Sequence, residues 1–423
     1  MSLLKRFISY YKPYRKLFTL VLGCAFVIIM IELFFPIATR DFINDYIPNK
    51  KLDAIIFWTI ILLILYVIRA IFQYIINYWG HVVGTKMEAD MRRDLFTHLH
   101  TLPFKFYDDN KTGQIMSRLV GDLREISELA HHGPENLFLA SVMLAGSFIA
   151  LLLTNFTLTL LIFGVLLILI LYALKKRTTM MKTFRRVRKS HAEINAKVEN
   201  SISGIRLCKS FTNEEQEIEQ FEKRNKTYQL SYQEAYKHMA EYHSGTKFLL
   251  EILLLIVISV GGYFVFQGWI NYGDLVAFLL YTTFFVKPID RLVQFTQQYQ
   301  SGIAGFERFI EMMDIVSNIK EKPNASDLGD AKGNINFQNV SFKYEEDQPL
   351  ILKDFNLEIS QGSKIALVGI SGVGKTTIAH LIPRFYDIIN GAIKIDNMDI
   401  RDLTLESLRR NIGLVQQDTF VFW

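Results

Sequence analysis

The chain has 423 residues, a formal net charge of +5, and a composition that is 50% apolar and only 21% charged. Its mean hydropathy is positive, which argues against an ordinary soluble protein and for membrane spans. Cys24 lies in an apolar run and Cys208 in a charged segment, so a disulfide framework is excluded, and the length allows two or three domains.

In chain order, apolar segments occupy roughly 17–37, 54–79, 135–154, 156–174, 248–268 and 273–295. Each can cross a hydrocarbon core of about 30 Å at about 1.5 Å per residue. The first is too long for the core of a cleavable signal peptide, and no small-residue cleavage site follows it. The third and fourth must turn within two or three residues at Asn155. Lys287, Pro288, Asp290 and Arg291 leave the inner boundary of the sixth open.

Lys and Arg set the expected orientation. The N-terminal segment carries five, the 80–133 loop seven and the 175–246 loop fifteen; the loop near 38–53 carries three and the turns near 155 and 270 none. The N-terminus, both long loops and the C-terminal region are therefore expected on the cytoplasmic side. The two long loops read as helical projections whose tips lie at "DNKTG" (109–113) and "SISG" (201–204). Glu32, Arg69 and Lys287 fall in apolar runs. Such charges either pair or snorkel, or else line a pathway. Pro288 is placed to kink the sixth segment.

Helical periodicity continues through "GIAGFERFIEMMDI", and then "SNIKEKPNASDLGDAKG" reads as a linker. From "NINFQNVSFKY" the period falls to two, which marks the start of a soluble α/β domain. Within it, residues 369–376 of "SKIALVGISGVGKTTIAHLI" match G-x-x-x-x-G-K-[ST]. The apolar run "KIALVG" before the match reads as a buried strand, and "TTIAHLI" after it opens a helix. Gly369, Gly372 and Gly374 let the backbone curl around phosphate, and successive N–H groups supply partial positive charge. Ser371 and Val373 complete the loop. Lys375 adds a full charge at the β/γ-phosphates, and the Thr376 hydroxyl is placed to ligate Mg²⁺. Tyr344 ends the strand "VSFKY"; it is either an adenine-stacking ring or a half-buried strand aromatic. Gln417 follows "IGLV"; it is either a ligand for Mg²⁺ or water, or a polar loop residue.

Six spans, two long cytoplasmic loops, a linker and a P-loop domain in this order resemble a half-transporter of the ABC exporter family. Further matches are "FYDDNKTGQIMSRLVGDLREI" and "ENSISGIRLCKSFTNEEQEIEQF" to the family's two intracellular loops, and "GWINYGDLVAFLLYTTFFVKPIDRL" to its sixth span. In the nucleotide domain, "INFQNVSFKY", "GISGVGKTT", "RFYDIINGAIKID" and "LRRNIGLVQQDTFVF" follow the family order. The resemblance covers the whole chain. It implies a membrane all-α six-helix exporter domain with long cytoplasmic helical loops (1–315), a linker (316–332) and a partial α/β P-loop NTPase domain (333–423). Tyr344 would be the adenine-stacking residue, Gly369 to Thr377 the Walker A loop, and Gln417 the Q-loop residue. Thr376 and Gln417 would hold Mg²⁺, and the segments near 110–118 and 201–210 would be coupling helices. Ile370 and Asn397 depart from common family residues, proline and glycine, without threatening nucleotide binding.

The resemblance further implies ATP-driven export by a dimer, most simply a homodimer, in the plasma membrane. ATP and Mg²⁺ would be the cofactors, and the substrate an unidentified small or amphipathic molecule. The cations follow membrane topology and form no aromatic-interleaved patch, so nucleic acid is not expected as a partner. Residues 1–423 contain no Ser-Gly-Gly-Gln signature, no Asp-Glu strand beyond the Q-loop and no switch histidine. Asp396 matches the family's turn before the Q-loop instead. The expectation is a nucleotide half-site that cannot complete hydrolysis alone, with apolar edges left bare where parallel strands lack neighbours. The alternative is a catalytically dead, nucleotide-binding membrane fragment.

Overall fold

In a computed structural model, residues 2–370 and 372–415 are described. Ser371, Gln417 and the side chain of Asp290 lie outside the described residues. The helices run in chain order as α1 (Leu3–Ser9), α2 (Arg15–Asp41), α3 (Leu52–Leu99), α4 (Phe104–Asp109), α5 (Thr112–Ser117), α6 (Leu123–Thr154), α7 (Phe156–Ser203), α8 (Ile205–Ser210), α9 (Glu214–Phe266), α10 (Tyr272–Phe284) and α11 (Val286–Met313). After them come β1 (Ile335–Phe342), β2 (Leu352–Ile359), α12 (Lys375–Leu381), β3 (Asn390–Ile395), β4 (Met398–Asp399) and α13 (Leu405–Arg410). The chain divides into two compact units.

The first unit, residues 5–87 and 127–302, is helical. Its core joins α2, α6, α7, α9 and α10 through Ile29, Leu151, Leu158, Ile162, Val257 and Phe278, all essentially buried. The turn at Asn155 forms as expected: its extended backbone breaks the helix, and its side chain accepts from the Leu158 amide at 3.0 Å, capping α7. Tyr281 donates to the Leu33 carbonyl at 2.6 Å, which fixes α10 on α2. The 48 residues of α3 and the 53 of α9 would extend about 70–80 Å, far more than a bilayer core needs. The most apolar stretch of α3 has none of its residues buried; Phe57, Leu63, Val67 and Tyr74 point outward. An apolar helix face with no protein cover is what lipid solvates.

Among the described residues, five helices are long and apolar enough to cross a membrane. The expected sixth span is not one helix. It stops after the 13 residues of α10, turns at Phe285, and resumes as α11. Pro288 explains the break, because it lacks an amide hydrogen and its ring would clash with the carbonyl of Phe284, four residues earlier. The proline ends one helix and is accommodated in the first turn of the next.

The second unit comprises residues 1–4, 88–126 and 303–423. Its sheet has the order β2-β1-β3-β4 and is antiparallel throughout. Phe337, Val340, Ile393, Leu403 and Leu408 form its core. Ile395 pairs with Met398, so Asp396 and Asn397 are the two central residues of a tight hairpin, both with positive φ. That geometry demands the residue types found there. Asp396 is structural: its carboxylate accepts from the amides of Lys332, Gly333 and Asn334.

Two expectations are corrected in this unit. The stretch from 316 to 332 is not a free linker. Ser326 exchanges backbone hydrogen bonds with Asp402 and Thr404 at 2.8 and 3.0 Å, and Leu328 is buried. Asn411 then clamps Gly329 and Ala331. The second correction concerns "KIALVG" and "IGLV". Within the described residues neither forms a strand, and Ile365, Val368 and Val415 are exposed. A parallel strand is held only by neighbours on its own edges, and no described strand pairs with these segments.

Candidate nucleotide-binding site

The glycine-rich loop bends because its glycines occupy backbone regions closed to most residues. Gly372 has φ +83° and Gly374 φ +100°, the latter immediately before α12. A Cβ at Gly374 would also stand 3.0 Å from the Ile351 side chain. Lys375 folds back over the loop and donates to the carbonyls of Gly369 and Ile370, both at 2.8 Å. The ammonium therefore rests against carbonyl dipoles, a contact that an incoming phosphate would exchange for a full charge. Thr376 is exposed on the first turn of α12, and Val373 is exposed on the loop.

Thr377 is buried, and its hydroxyl lies 3.1 Å from the hydroxyl of Tyr344. Tyr344 is half-buried and edge-on to both Phe342 and Tyr386, with ring centroids 4.9 and 5.1 Å apart. The structure thus brings Tyr344, Thr377 and Lys375 into one region.

A second feature was not legible in the sequence. The turn after α12 is built rigidly. Arg384 has positive φ and pairs with Asp387 at 2.7 Å. Arg409 donates to the carbonyls of Pro383 and Arg384 and lies over the Phe385 ring. The turn presents Phe385, which stacks on Phe104 at 3.9 Å, and Tyr386, whose hydroxyl donates to Asp108. Burial, and then the Asp108 carboxylate, push the Tyr386 phenol above its usual range. These two contacts fall on α4, residues 104–109, just before the expected 110–118 segment. Phe104 and Phe385 sit nearly 300 residues apart in sequence, and no motif links them. Nearby, Arg308 of α11 grips Asp122 with two hydrogen bonds of 2.6 and 2.7 Å, which fixes α11 against the turn that opens α6.

Residues 18–289 match the family model described as the ABC transporter transmembrane region, and residues 352–423 match the one described as ABC transporter. The "Uncharacterized ABC transporter ATP-binding protein YwjA" of Bacillus subtilis is 42% identical over 420 residues, covering 99% of this chain and 73% of that protein. The chain belongs to the ABC transporter family. The "Putative multidrug export ATP-binding/permease protein YgaD" of the same organism is 30% identical, covering 100% of this chain and 74% of that protein. As in an ABC exporter half-transporter, membrane helices and an ATP-binding domain share one chain, and family membership makes this a multi-pass membrane protein that binds ATP. The Ser371 and Gln417 assignments lie outside the described residues; of the other expected site residues, Lys375, Thr376 and Thr377 stand together at the start of α12 with Tyr344 beside Thr377.

Proposed function

We propose that this chain is one half of a dimeric, ATP-driven exporter of the plasma membrane, with its N-terminus and nucleotide domain in the cytoplasm. Residues 1–315 act as the membrane domain, and 333–423 carry the nucleotide half-site. The observation that carries this reading is a chain of side-chain contacts. It runs from Thr377 beside the phosphate loop through Tyr344 and Tyr386 to Asp108 of the first cytoplasmic loop. A change at bound nucleotide thus has a short physical route to the helices that enter the membrane. Mg²⁺ would sit at Thr376 and Gln417, where it screens the phosphate charge.

A dimer is favoured by α8 and its flanks, where Leu207 is 65% and Phe211 75% exposed. A cytoplasmic helix tip with bare apolar residues suits docking on a second subunit. Amphipathic cargo is favoured by a cavity of about 230 Å³ among α2, α3, α6, α10 and α11. Phe35, Met143 and Leu280 line it alongside Lys287, Arg291 and an ion pair between Glu32 and Arg69. This volume is below the usual range for a drug-sized ligand, roughly 300–1,000 Å³; two copies facing each other would double it.

The test is Mg²⁺-ATP binding by the full chain in nanodiscs, followed by ATP hydrolysis and uptake into inside-out vesicles. Saturable binding lost in Lys375→Ala supports the reading. Saturable binding that survives Lys375→Ala unchanged would overturn it.

A further inference from the structure

Three histidines that the nucleotide chemistry does not use meet within the helical unit. His81 lies on α3, and His131 and His132 lie on α6. One ligand-capable atom from each falls within 4.8 Å of the other two. The ring centroids are 4.6 Å apart for His81 and His131, 4.0 Å for His131 and His132, and 5.2 Å for His81 and His132.

His131 is 94% buried. Its Nδ1 lies 2.7 Å from the carbonyl of Ser127. A carbonyl can only accept, so the proton sits on Nδ1 and the lone pair is on Nε2. That Nε2 is buried and has no hydrogen-bond partner. A buried acceptor without a donor is costly; a metal ion is a natural occupant, because the fixed tautomer already presents the ligating atom. Gly84 makes the space: a Cβ there would come within 2.7 Å of His131 Nδ1.

His132 brings carboxylates. Glu135 lies 3.6 Å from its Nδ1 and Glu128 4.0 Å from its Nε2. Glu135 is placed as the carboxylate that orients a metal-bound imidazole, and Glu128 as a source of a fourth, oxygen ligand. His81 is exposed and His132 partly so, which leaves a path for an ion to enter.

We propose that His81, His131 and His132 form a binding site for a divalent transition metal of the zinc type, completed by Glu128. Imidazole-rich sites with a carboxylate select Zn²⁺ and its neighbours over Mg²⁺ or Ca²⁺. At metal–nitrogen distances of about 2.0–2.1 Å the nitrogens must approach to about 3.4 Å. Rotation of the exposed His81 and the half-exposed His132 toward the buried His131 supplies that closure. The bound ion ties α3 to α6 at this level.

The test uses the full chain in nanodiscs, without a histidine tag, titrated with Co²⁺ and then Zn²⁺. The expected result is one Co²⁺ per chain, with the intense visible absorption of a four-coordinate nitrogen-rich site, displaced by Zn²⁺. His81→Ala and His131→Ala each weaken binding by at least about a hundredfold, Glu135→Gln weakens it by about tenfold, and His191→Ala on α7 leaves it unchanged. His81 is exposed, so its variant keeps the fold and gives an answer even where His131→Ala does not fold. Absence of stoichiometric binding, or binding indifferent to His81→Ala, overturns the proposal.

Discussion

Two stretches of the nucleotide region have similar apolar content and opposite fates. The strands β1 and β3 bury Phe337, Val340, Ile393 and Ile395 almost completely. The segment from 364 to 370 leaves Val368 89% and Ile370 80% exposed. The difference lies in hydrogen-bonding partners and not in hydrophobicity. β1 has a neighbour on each side, so its peptide groups are satisfied and its side chains are held in register over a core. The 364–370 segment has no paired neighbour among the described residues. A rigid antiparallel platform therefore carries a phosphate loop held mainly by its own contacts.

Glycine substitution breaks this comparison most sharply. Gly391, at the start of β3, has φ +89°, and a Cβ there would lie 2.3 Å from the Gln338 carbonyl and 2.4 Å from that of Asn339. Those atoms are backbone of the adjoining strand and cannot move aside. Gly391→Ala should destabilise the nucleotide region by about 3 kcal/mol or more, seen as a lower melting temperature of the full chain. Gly372→Ala meets no atom within 4 Å and should cost only about 1 kcal/mol from its positive φ, while weakening ATP binding. Equal melting temperatures for the two variants would contradict the platform-and-loop division.

Lys375→Ala probes the loop itself. It removes the two contacts that hold Gly369 and Ile370 as well as the charge meant for phosphate. A hydrogen-bonded charge is worth about 1.5–3 kcal/mol, so ATP affinity should fall roughly 10–100-fold by calorimetry. The melting temperature without nucleotide should change little, because no sheet contact is lost.

Asp396→Asn probes the platform. Burial pushes this carboxyl up, but the backbone and side-chain amides of Asn334 and the amides of Lys332 and Gly333 outweigh it and hold the group below its usual 3.8. A lowered folded-state pKa stabilises the fold above the unfolded value, and that contribution fades as pH falls through the folded value. The variant should be less stable by about 1–2 kcal/mol at neutral pH, and its deficit should shrink below pH 3.8. A deficit independent of pH would assign the effect to shape and not to charge.

How much of this was readable from the sequence depends on how local its cause is. The Asn155 turn and the helix that opens at Lys375 follow from residues within a few positions of one another, and both appear where the sequence reading put them. Five of six apolar runs became long helices for the same reason. The break at Phe285 lies three residues before its proline, because the clash is with the carbonyl of the preceding turn. The stitched segment 316–332 was misread because its partners, Asp402, Thr404 and Asn411, lie some 80 residues away and leave no local periodicity. The docking turn was unreadable for a similar reason. Phe385 looks like any loop aromatic until Arg384, Asp387 and Arg409 fix its direction.

That docking turn supplies the smallest effect. Phe104 and Phe385 stack nearly parallel, at 22° and 3.9 Å, and such ring pairs contribute about 0.5–1.5 kcal/mol beyond area burial. Phe104→Ala and Phe385→Ala should each lower the melting temperature modestly. Together they should cost less than the sum of the two, with a coupling energy in that range. The informative measurement is ATP-dependent protection of residues 104–117 from hydrogen exchange. If this stack carries the signal from the phosphate loop, ATP should still bind both single variants with near-unchanged affinity while its effect on residues 104–117 disappears. Unaltered protection in both variants would move the coupling to the neighbouring contact of Tyr386 with Asp108, and Tyr386→Phe would then be the variant that abolishes it.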